Sequence, residues 1–321
     1  MLSWLGRQGT RAVAALVVIG ITMPPIGTVL KPFLTEAVFV LLCIAFLRVD
    51  ASALRNYVGC PKIVLFATAW TSLAIPTLFA TSYLALGLKD HSPDLFLALV
   101  LQAIASPLMA APALAALAGL DATLVLCAMV ASTALLPFTA PLFAYALIGP
   151  ALVLSPLALG LKLFAILVGS ALVGFTVRRI AGVAVIERQK EKVNGFNILV
   201  LFVFIAAIME SVAARFLATP MITIGLAALA FMVFFAVLCL TTLIFASTGR
   251  NRALSLAFMV SQRNVGLMLA TTGGALPDLT WLYFAFSYFP IYLSPLLLQP
   301  LARRIIARAQ TTPTPPKGPT T

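Results

Sequence analysis

Ten apolar stretches follow one another through the chain, near residues 12–30, 33–48, 63–87, 95–119, 122–147, 157–178, 196–218, 221–247, 253–274 and 279–300. Each is bounded by charged residues or by Pro and Gly. A helix crosses the hydrocarbon core of a bilayer with about 20 apolar residues. Without water to satisfy exposed backbone groups, such a segment can hardly be anything but helical. Hydrophobic residues make up 62% of the sequence and charged ones 9%, against about 25% charged in a soluble domain. The pattern predicts an all-α polytopic membrane protein with about ten transmembrane helices. The shortness of the second stretch makes nine the alternative count.

The net charge of +12 is not laid out as a nucleic-acid face, and no nucleic-acid partner is expected. Alternate loops, starting from the N-terminus, hold Arg7, Arg11, Arg48, Arg55, Lys62, Arg178, Arg179, Arg188, Lys190, Lys192, Arg250, Arg252, Arg303, Arg304, Arg308 and Lys317. The opposite loops hold Lys31, Lys89 and Arg215, with Lys162 near a helix start. This sixteen-to-four bias is the positive-inside pattern, and it places both termini in the cytoplasm of what reads as a bacterial inner membrane protein. The apolar run after Arg11 ends in Met23-Pro24-Pro25 with no small-residue cleavage site, so it reads as a first span rather than a signal peptide. Cys43, Cys127 and Cys239 lie inside apolar stretches and Cys60 in a loop, which indicates neither disulfides nor a metal cluster.

The polar stretch from Arg178 to Gly195 divides the ten segments five and five. Five is odd, so the second half enters the membrane with the opposite orientation, which is the topology of an inverted repeat. One transporter domain over 1–310 is expected, with repeat one at about 12–147 and repeat two at about 157–305. The Pro/Thr-rich tail 311–321 is expected to be disordered and cytoplasmic. In inverted-repeat transporters the substrate sits near the midplane, where corresponding helices are interrupted. Helix four carries Ser106, Pro107 and Pro112 near its middle, and proline deletes a ladder donor. Helix nine carries Ser261-Gln262-Arg263-Asn264 at the matching depth. Helices four and nine are therefore expected to be interrupted at matching depth, and the site to lie there.

Arg263 lies about 15 Å along a helix that starts near Ala253, close to the bilayer midplane. A charge there costs on the order of 2.5 kcal/mol or more unless it faces a partner or a wet cavity. Two roles stand open. Arg263 binds an anionic group of the substrate through its two-pronged guanidinium, or it is structural, paired with Glu36, Glu210 or the carbonyls released at the proline kinks.

The segment from Ala253 to Leu267 resembles helix nine of the bile acid:sodium symporter family. Phe46-Leu47 with Val49-Asp50, Cys60-Pro61-Lys62, Pro107, and Ser132-Thr133 with Pro137 and Pro141 resemble further motifs of that family, in order, over roughly residues 12–305. The resemblance implies that helices four and nine are broken and cross, with two sodium sites held in part by helices three to five. The remnants of those ion sites are Asn264, Ser132, Thr133 and Thr71, the last standing where the family often carries Gln. The chain departs from the pattern at the centre. The family's helix-nine signature is Glu, three residues, then Gln-Asn; here Met259 stands at the Glu and Arg263 at the Gln. Its Pro-Gly-Gly and Ser-Asn of helix four are here Pro107-Leu108-Met109 and Pro112-Ala113. Hard cations want oxygen ligands, preferably including a carboxylate, so the expectation is that Arg263 replaces one sodium and transport is not sodium-coupled.

The function expected from these residues is secondary transport of a small organic anion through the bilayer by alternating access. Substrate-binding residues are Arg263, Asn264, Gln262, Ser261, Ser106, Pro107 and Pro112, with sodium or protons as the candidate coupling ion and no cofactor. The alternatives are a proton-coupled or facilitative carrier of a small metabolite and a non-transporting sensor on the same fold. No phosphate-binding Gly-rich loop is present for ATP-driven transport. The spans also lack the His or Asp clusters of membrane enzymes, so no enzyme activity is expected. Glu210 reads as the interfacial partner of Arg215, and His91 as a solvated loop residue. Trp70, Trp281 and Tyr283 read as packing or interface anchors, and Gly266, Gly273 and Gly274 as points of close helix packing. Ser132, Thr133 and Thr139 bond back to their own helix in the plainer reading.

Overall fold

The computed structural model describes Ser3, Trp4, Ala15 and residues 18–20, 22–49, 61–149, 155–273 and 276–311, with the backbone alone for residues 61 and 301–311. The expectations placed on Arg7, Arg11, Asp50, Arg55, Cys60, Gly274 and the tail beyond Thr311 lie outside the described residues.

Among the described residues the structure is helical, without a β-strand. Seven helices are long and apolar enough to cross a membrane: α1 (Pro24–Arg48), α2 (Lys62–Ala85), α5 (Ala122–Ile148), α6 (Pro156–Ala181), α7 (Lys190–Ala218), α8 (Pro220–Ile244) and α11 (Asp278–Thr311, apolar through Pro300). Between them lie two interrupted pairs, α3 (Pro93–Ile104) with α4 (Ala111–Ala118) and α9 (Arg250–Ser261) with α10 (Val265–Thr272). This is the architecture of an integral membrane protein. The outward faces are as apolar as the buried ones: Leu65, Phe138, Leu161, Leu172, Met221 and Met232 are all more than half exposed, as suits helices whose solvent is lipid.

The first two expected stretches do not separate where the sequence suggested. Residues 24–48 form one helix, which tightens into a 3₁₀ turn at Lys31–Phe33. Pro32 deletes the N–H that the Thr28 carbonyl would accept, and the ladder shortens there instead of stopping. Most of the first stretch, before residue 22, lies outside the described residues.

The helices pack in two groups. α1 lies against α6 and α7. The second group holds α2, α3, α8, α9 and α11, with α8 packed on α9 and α11, while α5 packs on α2 and α9 and also on α6, joining the two groups. α10 touches both groups, contacting α1 and α6 on one side and α3 and α11 on the other. With little hydrophobic drive between helices in lipid, close approach comes from small residues. A Cβ on Gly174 of α6 would sit 2.7 Å from the Cys43 carbonyl oxygen and 2.8 Å from the Phe46 Cβ. Gly174→Leu is therefore expected to push α6 off α1 and to cost about 1–3 kcal/mol, read as a lower melting midpoint in detergent.

Candidate functional site at the helix breaks

The two interrupted pairs have the same proportions, 12 residues followed by 8 in each. Each 8-residue half ends on a glycine in the left-handed region, Gly119 (φ 78°) and Gly273 (φ 63°), where any other residue carries a steric penalty. The breaks meet. Pro107 and Arg263 form an antiparallel bridge, in which the Leu108 N–H donates to the Gln262 carbonyl at 2.6 Å and the Asn264 N–H donates to the Ser106 carbonyl at 2.8 Å. These two bonds flank the Pro107/Arg263 pair, which is thus a non-hydrogen-bonded pair of the ladder. Such a position requires no N–H, and it is the one place in the crossing where proline costs no bond. The irregular backbone at both breaks finds its partners in the other break, so it survives inside an apolar protein.

Arg263 is 2% exposed. Its Nη1 donates to the Ala105 carbonyl at 2.8 Å and to the Thr71 carbonyl at 3.4 Å. Both acceptors are free for a local reason. Ala105 follows the last turn of α3, where carbonyls have no intrahelical donor and the helix dipole is negative. Thr71 lies in a π-helical segment, Trp70–Ala74. There the Ile75 N–H donates to the Trp70 carbonyl, so the matching donor for Thr71 would come from residue 76, a proline. Neither Glu36 nor Glu210 pairs with Arg263. Lys31 Nζ stands 2.8 Å from Glu210 Oε2, and Arg215 pairs with Asp278, which corrects the expected Glu210–Arg215 pair.

The other expected site residues fall into three places. Asn264 Oδ1 accepts from the Leu267 N–H at 3.1 Å and caps α10. Asn264 and Pro112 also line a large cavity beside the crossing. Gln262 Nε2 donates to Ser294 on α11, and Ser261 Oγ to the Phe258 carbonyl, both away from that cavity. Ser106 Oγ and Thr133 Oγ1 are buried without a hydrogen-bond partner, while Ser132 Oγ donates to its own helix at Ala128. Thr71 Oγ1 likewise donates to the Ala67 carbonyl. The segment carrying Thr71 and helix α9 both pack on α5, which carries Ser132 and Thr133. Arg263 does not line the large cavity; its side chain lies on the α2/α3 side of the crossing.

The large cavity has a volume of about 310 Å³ and opens between the two helix groups, with α1 and α7 on one side and the crossing and α11 on the other. Its floor carries Met109, Ala110 and Pro112 at the start of α4 and Asn264 and Gly266 at the start of α10. Two positive helix ends thus border one space. Arg48 and Asn197 line it at the end where α1 finishes and α7 begins, and Leu41, Leu42, Leu201, Phe204, Tyr288 and Tyr292 supply apolar walls. No carboxylate is among its lining residues. At the far end the groups are pinned together: Thr35 Oγ1 donates to the Ala270 carbonyl at 3.4 Å, and Lys31 sits both on Glu210 and 4.9 Å over the ring of Trp281.

No protein-family model matches the chain, and no curated protein matches it. What can be said of its chemistry therefore rests on the site. Tyr288, Tyr292, Phe204, Asn197 and Arg48 were not among the residues singled out from sequence. Arg48 reads from sequence as a loop charge, and Asn197, the second residue of its apolar stretch, carries no signal beyond being an amide. The Tyr288/Tyr292 pair, whose rings stack at 5.7 Å, has helical spacing but no pattern distinguishing it from core. Asn264→Ala is expected to cost about 1 kcal/mol of stability through loss of the α10 cap, and Asn264→Asp to restore it. Thermal unfolding of the three proteins checks this.

Proposed function

We propose that the protein is a secondary transporter that carries a compact organic anion across a bacterial inner membrane by alternating access. In this reading the chain is built as two inverted repeats that meet at the polar stretch after α6, and the broken pairs α3/α4 and α9/α10 are the equivalent helices at the centre. The observation that carries the reading is the cavity of about 310 Å³ beside the crossing. It is at the lower end of the range for small-molecule sites. It is bordered by two positive helix ends, Arg48 and two amides, and no carboxylate is among its lining residues. The equal lengths of the two broken pairs support the internal repeat. The contacts at the Lys31 end, opposite Arg48 and Asn197, are those expected of a carrier closed on one side.

Asn264, Pro112 and Gly266 meet the substrate in this account, with Arg48 drawing the anion toward the cavity. Arg263, Gln262, Ser261, Ser106 and Pro107 build the crossing. Arg263 is a built-in cation. Its Nη1 takes carbonyl oxygens of the kind a hard cation takes, and it leaves the protein with a permanent positive charge in place of one that must be captured. Transport is therefore independent of sodium, and no chemical step on the substrate is involved.

The test is counterflow in liposomes loaded with single organic monoanions, from small keto acids upward, with melting shifts of the purified protein measured on the same set. A binding anion at a hundredfold excess over its Kd stabilises by about 2.7 kcal/mol, and that same anion exchanges across the vesicle membrane. Stabilisation without exchange would make the protein a sensor, and stabilisation by cations instead of anions would overturn the reading. Arg48→Ala is expected to raise KM about tenfold with kcat nearly unchanged, since it removes a charge-assisted contact, and initial uptake rates against anion concentration check it.

A further inference from the structure

The Arg263 guanidinium is only partly matched by its surroundings. Nη1 has two carbonyls, but Nε and Nη2 are buried and have no hydrogen-bond partner. None of the ion pairs among the described residues includes Arg263. A buried cation without a counter-charge is among the most costly groups a protein can hold. Beside it is a second cavity, enclosed within the α2/α3/α8 side of the crossing and separate from the large one, with a volume of about 10 Å³. That is room for one small occupant, a water molecule or, with a slight outward shift of the apolar lining, a monatomic anion.

The polar residues lining this small cavity are Tyr83, Gln102, Ser261 and Arg263. The Tyr83 hydroxyl is buried and, like Nε and Nη2 of Arg263, has no partner. The Gln102 Oε1 is already occupied by the Tyr283 hydroxyl, which leaves its amide nitrogen as the end that can face an anion. The rest of the lining is Ile75, Phe79, Leu99, Ala103, Val233, Phe234 and Val237, all apolar. No carboxylate and no carbonyl-bearing side chain other than Gln102 is among the lining residues. A metal cation would face a fixed guanidinium and find few oxygen ligands.

The geometry points to a resident monatomic anion, chloride, held in this small cavity by Arg263 and Tyr83. The anion supplies the counter-charge that no carboxylate supplies. It sits on the opposite side of the crossing from the organic-anion cavity, so the two do not compete for space. Polyatomic anions such as sulfate or acetate are excluded by the cavity's size. The inference does not rest on the transport reading, since a sensor with this crossing would need the same counter-charge.

The probe is chloride itself, exchanged against gluconate at constant potassium. The purified protein should show a saturable rise in melting midpoint with chloride, reproduced by bromide and absent with sulfate. In Tyr83→Phe the apparent Kd for chloride should rise about tenfold, the effect of losing one hydrogen bond to a charged group. Bromide-soaked crystals should give an anomalous peak beside Arg263. A midpoint indifferent to chloride with no such peak would mean that water alone fills the cavity, and the site would be refuted. A chloride response that Tyr83→Phe leaves unchanged would place the anion elsewhere and refute it equally. Should the Tyr83 variant fail to fold, Gln102→Leu tests the same cavity from α3, and the anomalous peak is read on the parent alone.

Discussion

A protein carrying both Met259→Glu and Arg263→Gln is expected to be stabilised by sodium, while the parent is not. The pair of changes removes the fixed guanidinium from the carbonyls of Ala105 and Thr71 and introduces a carboxylate four residues earlier on α9. Carbonyl oxygens and a carboxylate together make the kind of oxygen-rich environment that a hard cation requires. The rise in melting midpoint should reach about 2.7 kcal/mol at a sodium concentration a hundredfold above Kd, and potassium should not reproduce it. Arg263→Gln alone should be less stable than the parent and respond weakly, since it lacks the negative charge. A double variant that folds and ignores sodium would mean that the carbonyls at the crossing are not placed for a cation, and that Arg263 is an ordinary packing group.

The second large effect is expected at Gly266. A Cβ there would lie 2.6 Å from the Tyr288 hydroxyl and 3.0 Å from the ring of Phe204, and these two aromatic side chains pack edge to face with centroids 5.1 Å apart. All three residues line the large cavity. Gly266→Val forces the aromatic pair away from the first turn of α10, the turn that Asn264 caps. Overpacking of this kind costs about 1–3 kcal/mol in stability, which leaves the protein folded. A displacement of about 1 Å at a binding centre can cost on the order of a hundredfold in turnover. The expected result is near-complete loss of counterflow with a melting midpoint lowered by only a few degrees. Normal counterflow in Gly266→Val would place the substrate path elsewhere.

The positions of the interruptions along the chain were legible in the sequence because proline and a polar cluster inside apolar runs break the helical ladder wherever they occur. Pro107 and Arg263 announced both breaks, and their bridging is the consequence of two segments of irregular backbone that must satisfy one another inside lipid. The side to which Arg263 turns was not legible. It depends on two free carbonyls, one produced by the end of α3 and the other by Pro76 acting through a π-helical segment, and nothing in the residues around Thr71 signals that segment. That residues 24–48 run on as one helix instead of parting between 30 and 33 was legible only as the alternative count of nine. Lys31-Pro32-Phe33 has the composition of a turn, but a 3₁₀ tightening absorbs one missing donor without reversing the chain. The cavity walls escaped notice because Tyr288, Tyr292 and Leu41 are indistinguishable from core residues until the partner helix is in place.

The most direct measurement is the initial rate of uptake of a stabilising organic anion into liposomes as external sodium is varied against potassium at fixed ionic strength and chloride. A rate that stays flat across the sodium range is the predicted result, because Arg263 already supplies the charge that sodium would bring. A rate that climbs steeply and saturates with sodium would contradict the account, for it would mean that an ion site functions beside the arginine.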